Sequence, residues 1–436
     1  MCNGQQPCLS CQLRGIDCNF PPRTTQLQIV QLLSTPCKAL TIKEWNYVCL
    51  CFEAVGVLPQ SAVFRSDVVI GLSHTNEQVS KTWCIVGQVY AASSGKDTLN
   101  RQQRDGIRRA LATQTDICAR QLKQSQAVDA SVPLLCASLL TVTDLLIDDT
   151  GDQWRTRMVY MNELVGIVVN DVSELSPLDM ELIRFFQLND VLGSISRHEN
   201  PLGPNFSVAM SKTPYTSTTT NSVTSSTLYA DNYDHILSAM WKWSVLRQRI
   251  AWWIANASCQ GSDHDGDDNN NHDYHNHKEN QDNYKTKNNT SLNLQKKIQG
   301  IELVDEVTRL QSFILGVLLP FPCSSEPKDQ YLDPYCRWML VDISQLLQHQ
   351  AMTDLECGLP IMPPACLREQ ALAALDDIEK MTGHSELDMG FFLPVVDVIS
   401  REISSEGNFT RLLHFLGNVE ARGFGIAREY RQEALE

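Results

Sequence analysis

The chain has no run of eighteen consecutive apolar residues, the length a helix needs to cross a bilayer, so no membrane span is expected. An apolar segment behind a basic start is also missing. The opening Met1-Cys2-Asn3-Gly4-Gln5 is polar and does not have the form of a signal peptide. Strand-type alternation is scarce, and Val68-Val69-Ile70 is too short to found a sheet. There is no Gly-x-Ser-x-Gly elbow, no glycine-rich phosphate loop and no His-Glu-x-x-His helix, which leaves nucleophilic and zinc-hydrolase chemistry without support. Basic residues are in deficit: 36 Lys and Arg stand against 51 Asp and Glu, a net charge of −15. Phosphates are neutralised by Lys and Arg, so an acidic body has little general affinity for nucleic acid, and any DNA contact must be local.

The 436 residues, 43% of them apolar, suffice for one large core or two. Fifteen cysteines, an odd number, are scattered through apolar surroundings such as Val48-Cys49-Leu50-Cys51-Phe52 and Leu135-Cys136-Ala137. That usage fits a reducing compartment, where cysteine is a small buried hydrophobe. The glycosylation-type triplets at Asn205, Asn256 and Asn408 carry no meaning there.

The periodicity is helical from about residue 41, and the expected fold class is all-α. Arg104 to Lys123 reads as a surface helix with Ile107, Leu111, Ile117 and Leu122 in a mixed seam. Val132 to Ile147 is apolar on nearly every face and belongs at the centre of a helical core, with Pro133 in its first turn. Trp154, Met158, Met161, Val165 and Val168 mark one face of the next helix. Ser176-Pro177-Leu178-Asp179 is a capping signal that opens a helix carrying Leu182, Phe185, Phe186 and Leu192. Further helices are expected over 298–319, 335–349 and 367–381, with a last one from Phe409. Residues 211–228 are Ser/Thr-rich, and 261–291 are almost free of apolar side chains, so both read as disordered loops. His264, His272, His275 and His277 in the second tract read as incidental.

The densest chemistry lies at the start: Cys2-x5-Cys8-x2-Cys11-x6-Cys18, with Asn3-Gly4 and Pro7 supplying turns. Cys2, Cys8, Cys11 and Cys18 can close a four-thiolate zinc site without help from a core, and a redox dithiol is the weaker reading. Written as Cys-Asn-Gly-x-x-Pro-Cys-x-x-Cys-x6-Cys-x-Phe, residues 1–20 resemble the second half of the binuclear zinc cluster of fungal transcription factors. In that family six cysteines hold two zinc ions, and a basic helix in the first half enters the major groove. This sequence carries neither that helix nor two of the cysteines. Its remaining cations for DNA are Arg14 and Arg23.

Behind a linker at 21–40, residues 41–436 resemble the regulatory domain that follows the cluster in those factors. The landmarks are Leu134-Leu135-Cys136-Ala137-Ser138-Leu139-Leu140 ahead of Asp152-Gln153-Trp154-Arg155, Arg184-Phe185-Phe186-Gln187-Leu188-Asn189-Asp190-Val191-Leu192, and Glu420-Ala421-Arg422-Gly423-Phe424, the last resembling the closing helix. The resemblance implies a nuclear, zinc-binding regulator of a metabolic or secondary-metabolite gene set, meeting promoter DNA and the transcription machinery or regulatory proteins. A homodimer through Leu27, Val30 and Leu33 has little support, because two turns do not sustain a coiled coil. A regulator that has lost DNA binding and acts through protein partners is the alternative reading.

One motif points elsewhere. Asp148-Asp149-Thr150-Gly151-Asp152 matches the Asp-Asp-x-x-Asp of all-α terpene synthases, whose carboxylates hold magnesium against a diphosphate. The second metal motif of that class finds only Asn189-Asp190 with Ser194 and Glu199 out of step, and Gly151 breaks the helix inside the first. An acidic helix end is the simpler reading, and no enzyme activity is expected. His74, His198, His235, His349, His384 and His414 occur singly and read as structural. Arg101, Arg104, Arg108 and Arg109 read as a solvated face.

Overall fold

The structure is a computed structural model that describes residues 40–54, 63–95, 106–107, 109–110, 113, 131–147, 152–171, 175–206, 225–258, 279–318, 333–382 and 388–435. Cys2, Cys8, Cys11 and Cys18, Arg14, Arg23 and the Leu27–Leu33 segment lie outside them. So do Asp148, Asp149 and most of the expected 104–123 helix.

Regular structure among the described residues is entirely helical, with no strand, as the all-α expectation requires. The first three helices are α1 (Ile42–Ala54), α2 (Asp67–Thr75) and α3 (Glu77–Ser93). Each starts on a side-chain cap. Thr41 Oγ1 accepts from the Glu44 backbone N–H while the Glu44 carboxylate accepts from that of Thr41. Ser66 Oγ accepts from the Val69 backbone N–H at the head of α2, and Asn76 Oδ1 accepts from both Gln78 and Val79 at the head of α3. The triplet Val68-Val69-Ile70 thus lies in a helix.

Next come α4 (Ser131–Ile147), α5 (Asp152–Asp171) and α6 (Pro177–Ser196). Leu134, Leu135, Cys136, Leu139 and Leu140 of α4 are fully buried, which places that helix in the centre as its all-round apolarity demands. Its hydroxyls return to the helix itself: Ser138 donates to the Leu134 carbonyl and Thr141 to that of Ala137. On α5 the expected face of Trp154, Met158, Met161, Val165 and Val168 is buried in full. The cap of α6 is the expected box, Ser176 and Asp179 each accepting from the other's backbone N–H.

Two long helices follow, α7 (Ser225–Ser258) and α8 (Glu279–Leu318), then α9 (Asp333–Leu347), a single turn at Gln350–Thr353, and α10 (Pro364–Thr382). A 3-10 stretch at Asp388–Phe392 leads into α11 (Leu393–Ser400), followed by α12 (Glu406–Ala421) and α13 (Ala427–Leu435). Chain neighbours pack in sequence, and the C-terminal helices then return, α11 touching both α6 and α9. One continuous cluster of buried side chains runs from Trp45 to Ala427.

Three expectations are corrected. Helix α8 begins at Glu279, inside the tract read as a loop over 261–291, and α7 begins at Ser225, inside 211–228. Once the C-terminal turns of a helix are packed, each further residue adds a hydrogen bond without a new nucleus, so a polar stretch can extend it. The Glu420–Phe424 landmark is a helix end rather than a helix. Gly423 adopts φ 104°, and the Phe424 N–H reaches back to the Val419 carbonyl, the geometry of a left-handed helix stop. A Cβ on Gly423 would also fall 2.5 Å from that of Ser93, so glycine is required on both counts.

Candidate functional site

The landmark helix α6 carries a ladder of charged and polar side chains, and most of them hold neighbouring elements in place. Arg184 forks onto both carboxylate oxygens of Asp234 on α7 at 2.7 Å. Burial alone would lower the pKa of this guanidinium, but its bonds to Asp234 and Glu181 outweigh that effect and raise it. Gln187 reaches Asn205, and Asp190 accepts from the backbone of Leu202 and Gly203 at 3.0 and 2.9 Å. Burial lifts the pKa of the Asp190 carboxyl, opposed by those two N–H groups and by Arg155. Ser194 pairs with Ser244 of α7 at 2.6 Å. Of the residues weighed as a second magnesium motif, Asp190 and Ser194 have their oxygens engaged in the packing of α6, while Asn189 commits only its Nδ2 there. Glu199 pairs with Arg155 at 2.7 Å.

Two other buried acids act similarly. Asp144 on α4 is gripped by Arg157 of α5 through two guanidinium nitrogens. Asp342 on α9 accepts from Trp243 and Arg247 of α7 at 2.8 and 2.9 Å, and Arg247 donates onward to His198 Nδ1 at 2.7 Å. Buried charges fixed this way hold the helices in register.

Between these braces lies a cavity of about 210 Å³, where α4, α5 and α6 meet the returning C-terminal segment. Its existence depends on Gly193. A Cβ there would fall 1.7 Å from Trp154 Cη2, so glycine lets the indole lie against α6 and form one wall. Leu145, Leu192, Phe391, Leu393 and Ile426 supply further apolar wall. The polar and charged side chains on the lining are Asp144, Asn189, Ser196, Arg197 and Tyr430. Asn189, 3% exposed, donates its Nδ2 to the Phe185 carbonyl at 2.8 Å. The Tyr430 phenol bonds to Ser196, and burial, with Asp397 nearby, pushes its pKa up to about 12. That phenol stays protonated at any physiological pH.

A second, larger groove of about 470 Å³ runs between α7 and α8. Lys242, Arg249, Arg309 and Glu306 line it, and Arg249 forks onto Glu306 at 2.6 and 2.9 Å. Phe313 on its wall is 41% exposed.

Of the single histidines, His198, His349 and His74 make contacts within the fold, while His235 is exposed on the wall of the α7–α8 groove. His198 accepts from Arg247, His349 caps the turn at 350–353, and the His74 ring lies tilted against Trp45 with centroids 4.7 Å apart. Cys51, Cys84, Cys136 and Cys336 are buried free thiols, and burial, aided by Glu44, lifts the Cys84 thiol to about 12. Asparagines 205 and 256 use their amides internally, toward Ser238 and the Trp252 carbonyl. Among the described residues no group of three or more His, Cys, Asp and Glu is placed to hold a metal ion, and no helix is long and apolar enough to cross a membrane.

Sequence reasoning found the Asn189 stretch as a landmark but missed the cavity beside it. The available signal was Gly193, a glycine inside a strongly apolar helix. Comparison with protein-family models, with curated proteins and with solved structures gives no match in any of the three.

Proposed function

We propose that the chain is a transcriptional regulator of the fungal zinc-cluster type, with Cys2, Cys8, Cys11 and Cys18 as zinc ligands and residues 41–436 as its helical regulatory domain. The observation that carries this reading is the N-terminal spacing Cys-Asn-Gly-x-x-Pro-Cys-x2-Cys-x6-Cys. Four thiolates at these intervals satisfy a tetrahedral zinc site locally. The all-helical body supports it, because the quoted landmarks hold central positions there: α4 is buried in the core, α6 is braced to α7, and Phe424 is sealed inside. The gene set it governs, in this reading, is metabolic or secondary-metabolic, and its site of action is the nucleus.

The acidic balance of −15 favours a second reading, in which the regulator works through protein partners. Arg14 and Arg23 alone make few phosphate contacts, whereas specific affinity needs several together with base readout. Neither reading assigns a reaction to the chain.

Metal analysis and DNA titration of the purified chain test the proposal. One zinc per chain, lost when Cys8 and Cys11 are replaced by serine, is the expected result, with weak and strongly salt-dependent DNA binding. A chain that takes up no zinc, or keeps it in the serine variant, would remove the basis for the family reading. Nanomolar, site-specific DNA binding would reject the protein-partner reading.

A further inference from the structure

We infer that the cavity between α6 and the C-terminal segment is a binding site for a small, uncharged, mostly apolar molecule carrying one hydroxyl or N–H donor. The site goes beyond the proposed function and does not rest on it. Its volume of about 210 Å³ is that of roughly seven liquid-packed waters, or about ten to fifteen non-hydrogen atoms of an organic ligand. Water is poorly served there. A buried water needs two to four polar partners, and the walls formed by Leu145, Leu192, Phe391 and Leu393 offer none. Ser196 and Tyr430 already bond each other.

Asn189 sets the polarity of the ligand. Its Nδ2 is committed to the Phe185 carbonyl, while its Oδ1 accepts from no donor among the described residues. The side chain is 3% exposed and stands on the cavity wall. That oxygen keeps access to the cavity, and a ligand hydroxyl or N–H would pair with it in place of water. A formal charge on the ligand is disfavoured. The two charged groups on the wall, Asp144 and Arg197, both have partners, Arg157 in the case of Asp144, and an ion would lose hydration against the apolar side chains. Two of the walls come from distant parts of the sequence, Trp154 from α5 and Phe391 with Ile426 from the returning segment. An occupant therefore bridges them and adds to their docking on α6.

Saturation-transfer NMR and calorimetry on the full chain test the site, with 2-naphthol as the donor-bearing probe and naphthalene as its apolar counterpart. The expected result is saturable binding of 2-naphthol, about fivefold tighter than naphthalene, the effect of one net hydrogen bond. Asn189→Ala should erase that preference. Ile426→Trp, at a half-buried position on the wall, should weaken both probes at least tenfold while leaving the circular dichroism spectrum unchanged. Absence of saturable binding, equal affinity for the two probes in the wild type, or indifference to Ile426→Trp would each overturn the assignment. The comparison of probes on the unmodified chain stands even if Asn189→Ala fails to fold.

Discussion

Asp342 is 3% exposed, and two side chains of α7 donate to the same one of its oxygens, Trp243 at 2.8 Å and Arg247 at 2.9 Å. Removing the carboxylate leaves a buried guanidinium without its counter-charge. Asp342→Ala is expected to cost about 3–5 kcal/mol in urea unfolding, whereas the paired change Asp342→Leu with Arg247→Met should recover most of that loss. Arg247 also governs His198, which sits at φ 55° just past the end of α6 and closes it through the Glu199 N–H to Ser194 carbonyl bond at 2.8 Å. Histidine tolerates that left-handed position better than most residues, and here it also gains the Arg247 hydrogen bond. Burial, with the Arg247 charge next, lowers the His198 pKa below its ordinary 6.5, and the Asp342 and Asp397 carboxylates, opposing, do not restore it. The sign follows from linkage: a depressed folded pKa gives stability that is present above pH 6.5 and is lost as pH falls through the folded value. Wild type should therefore lose its lead over His198→Asn in urea midpoint between pH 7.5 and pH 5. A lead that stays constant across that range would show that the imidazole does not titrate against Arg247.

Helices α4 and α6 share a device that neither has alone. Asp179 closes the capping box of α6 with Ser176, and its other oxygen accepts from Ser131 Oγ at the first residue of α4, at 2.5 Å. One carboxylate thus serves two helix N-termini, where negative charge is favoured. Ser176→Ala should cost about 1 kcal/mol, the usual worth of a cap, and Asp179→Ala more, because it unties α4 as well. Calorimetric melting would separate the two, and equal losses would remove Asp179 from the second role. The α6 cap was legible in the sequence because its whole grammar, Ser-Pro-Leu-Asp, lies within four residues. The burial of α4 was legible because no polar stripe interrupts it. The N-terminal turns of α8 were not legible: a helix made of Asn, Asp, Lys and Thr has no apolar period to read, and its register comes from the packed turns after it. Nor was the cavity, whose walls are drawn from Asp144 to Tyr430 and meet only through tertiary packing. The pairing of Asp179 with Ser131, forty-eight positions apart, was hidden for the same reason.

Across the whole molecule the buried cluster joins the first described helix to the last, Trp45 on α1 through Phe185 on α6 to Phe424 and Ala427 before and at the start of α13. Aromatic rings mark the route: Phe64 lies 5.0 Å from Phe185, and Phe185 5.9 Å from Phe391 of the returning segment. Burial of this kind is the main favourable term in folding and is independent of any metal ion. Cys51, Cys84, Cys136 and Cys336 reach this core as free thiols, and burial drives the pKa of Cys51, Cys84 and Cys336 upward, so those three are poor ligands. Metal binding and folding of the body should therefore be separable. Small zinc modules draw their folding free energy from the ion itself, but a helical body with its own core does not. If the proposed zinc site is present, chelator treatment of the full chain is expected to empty it while leaving both the helical circular dichroism signal and the thermal midpoint of the body unchanged. A fall of several degrees in that midpoint on chelation, reversed by added zinc, would mean that an ion binds within the folded body. The N-terminal thiolates would then not be the chain's only metal ligands.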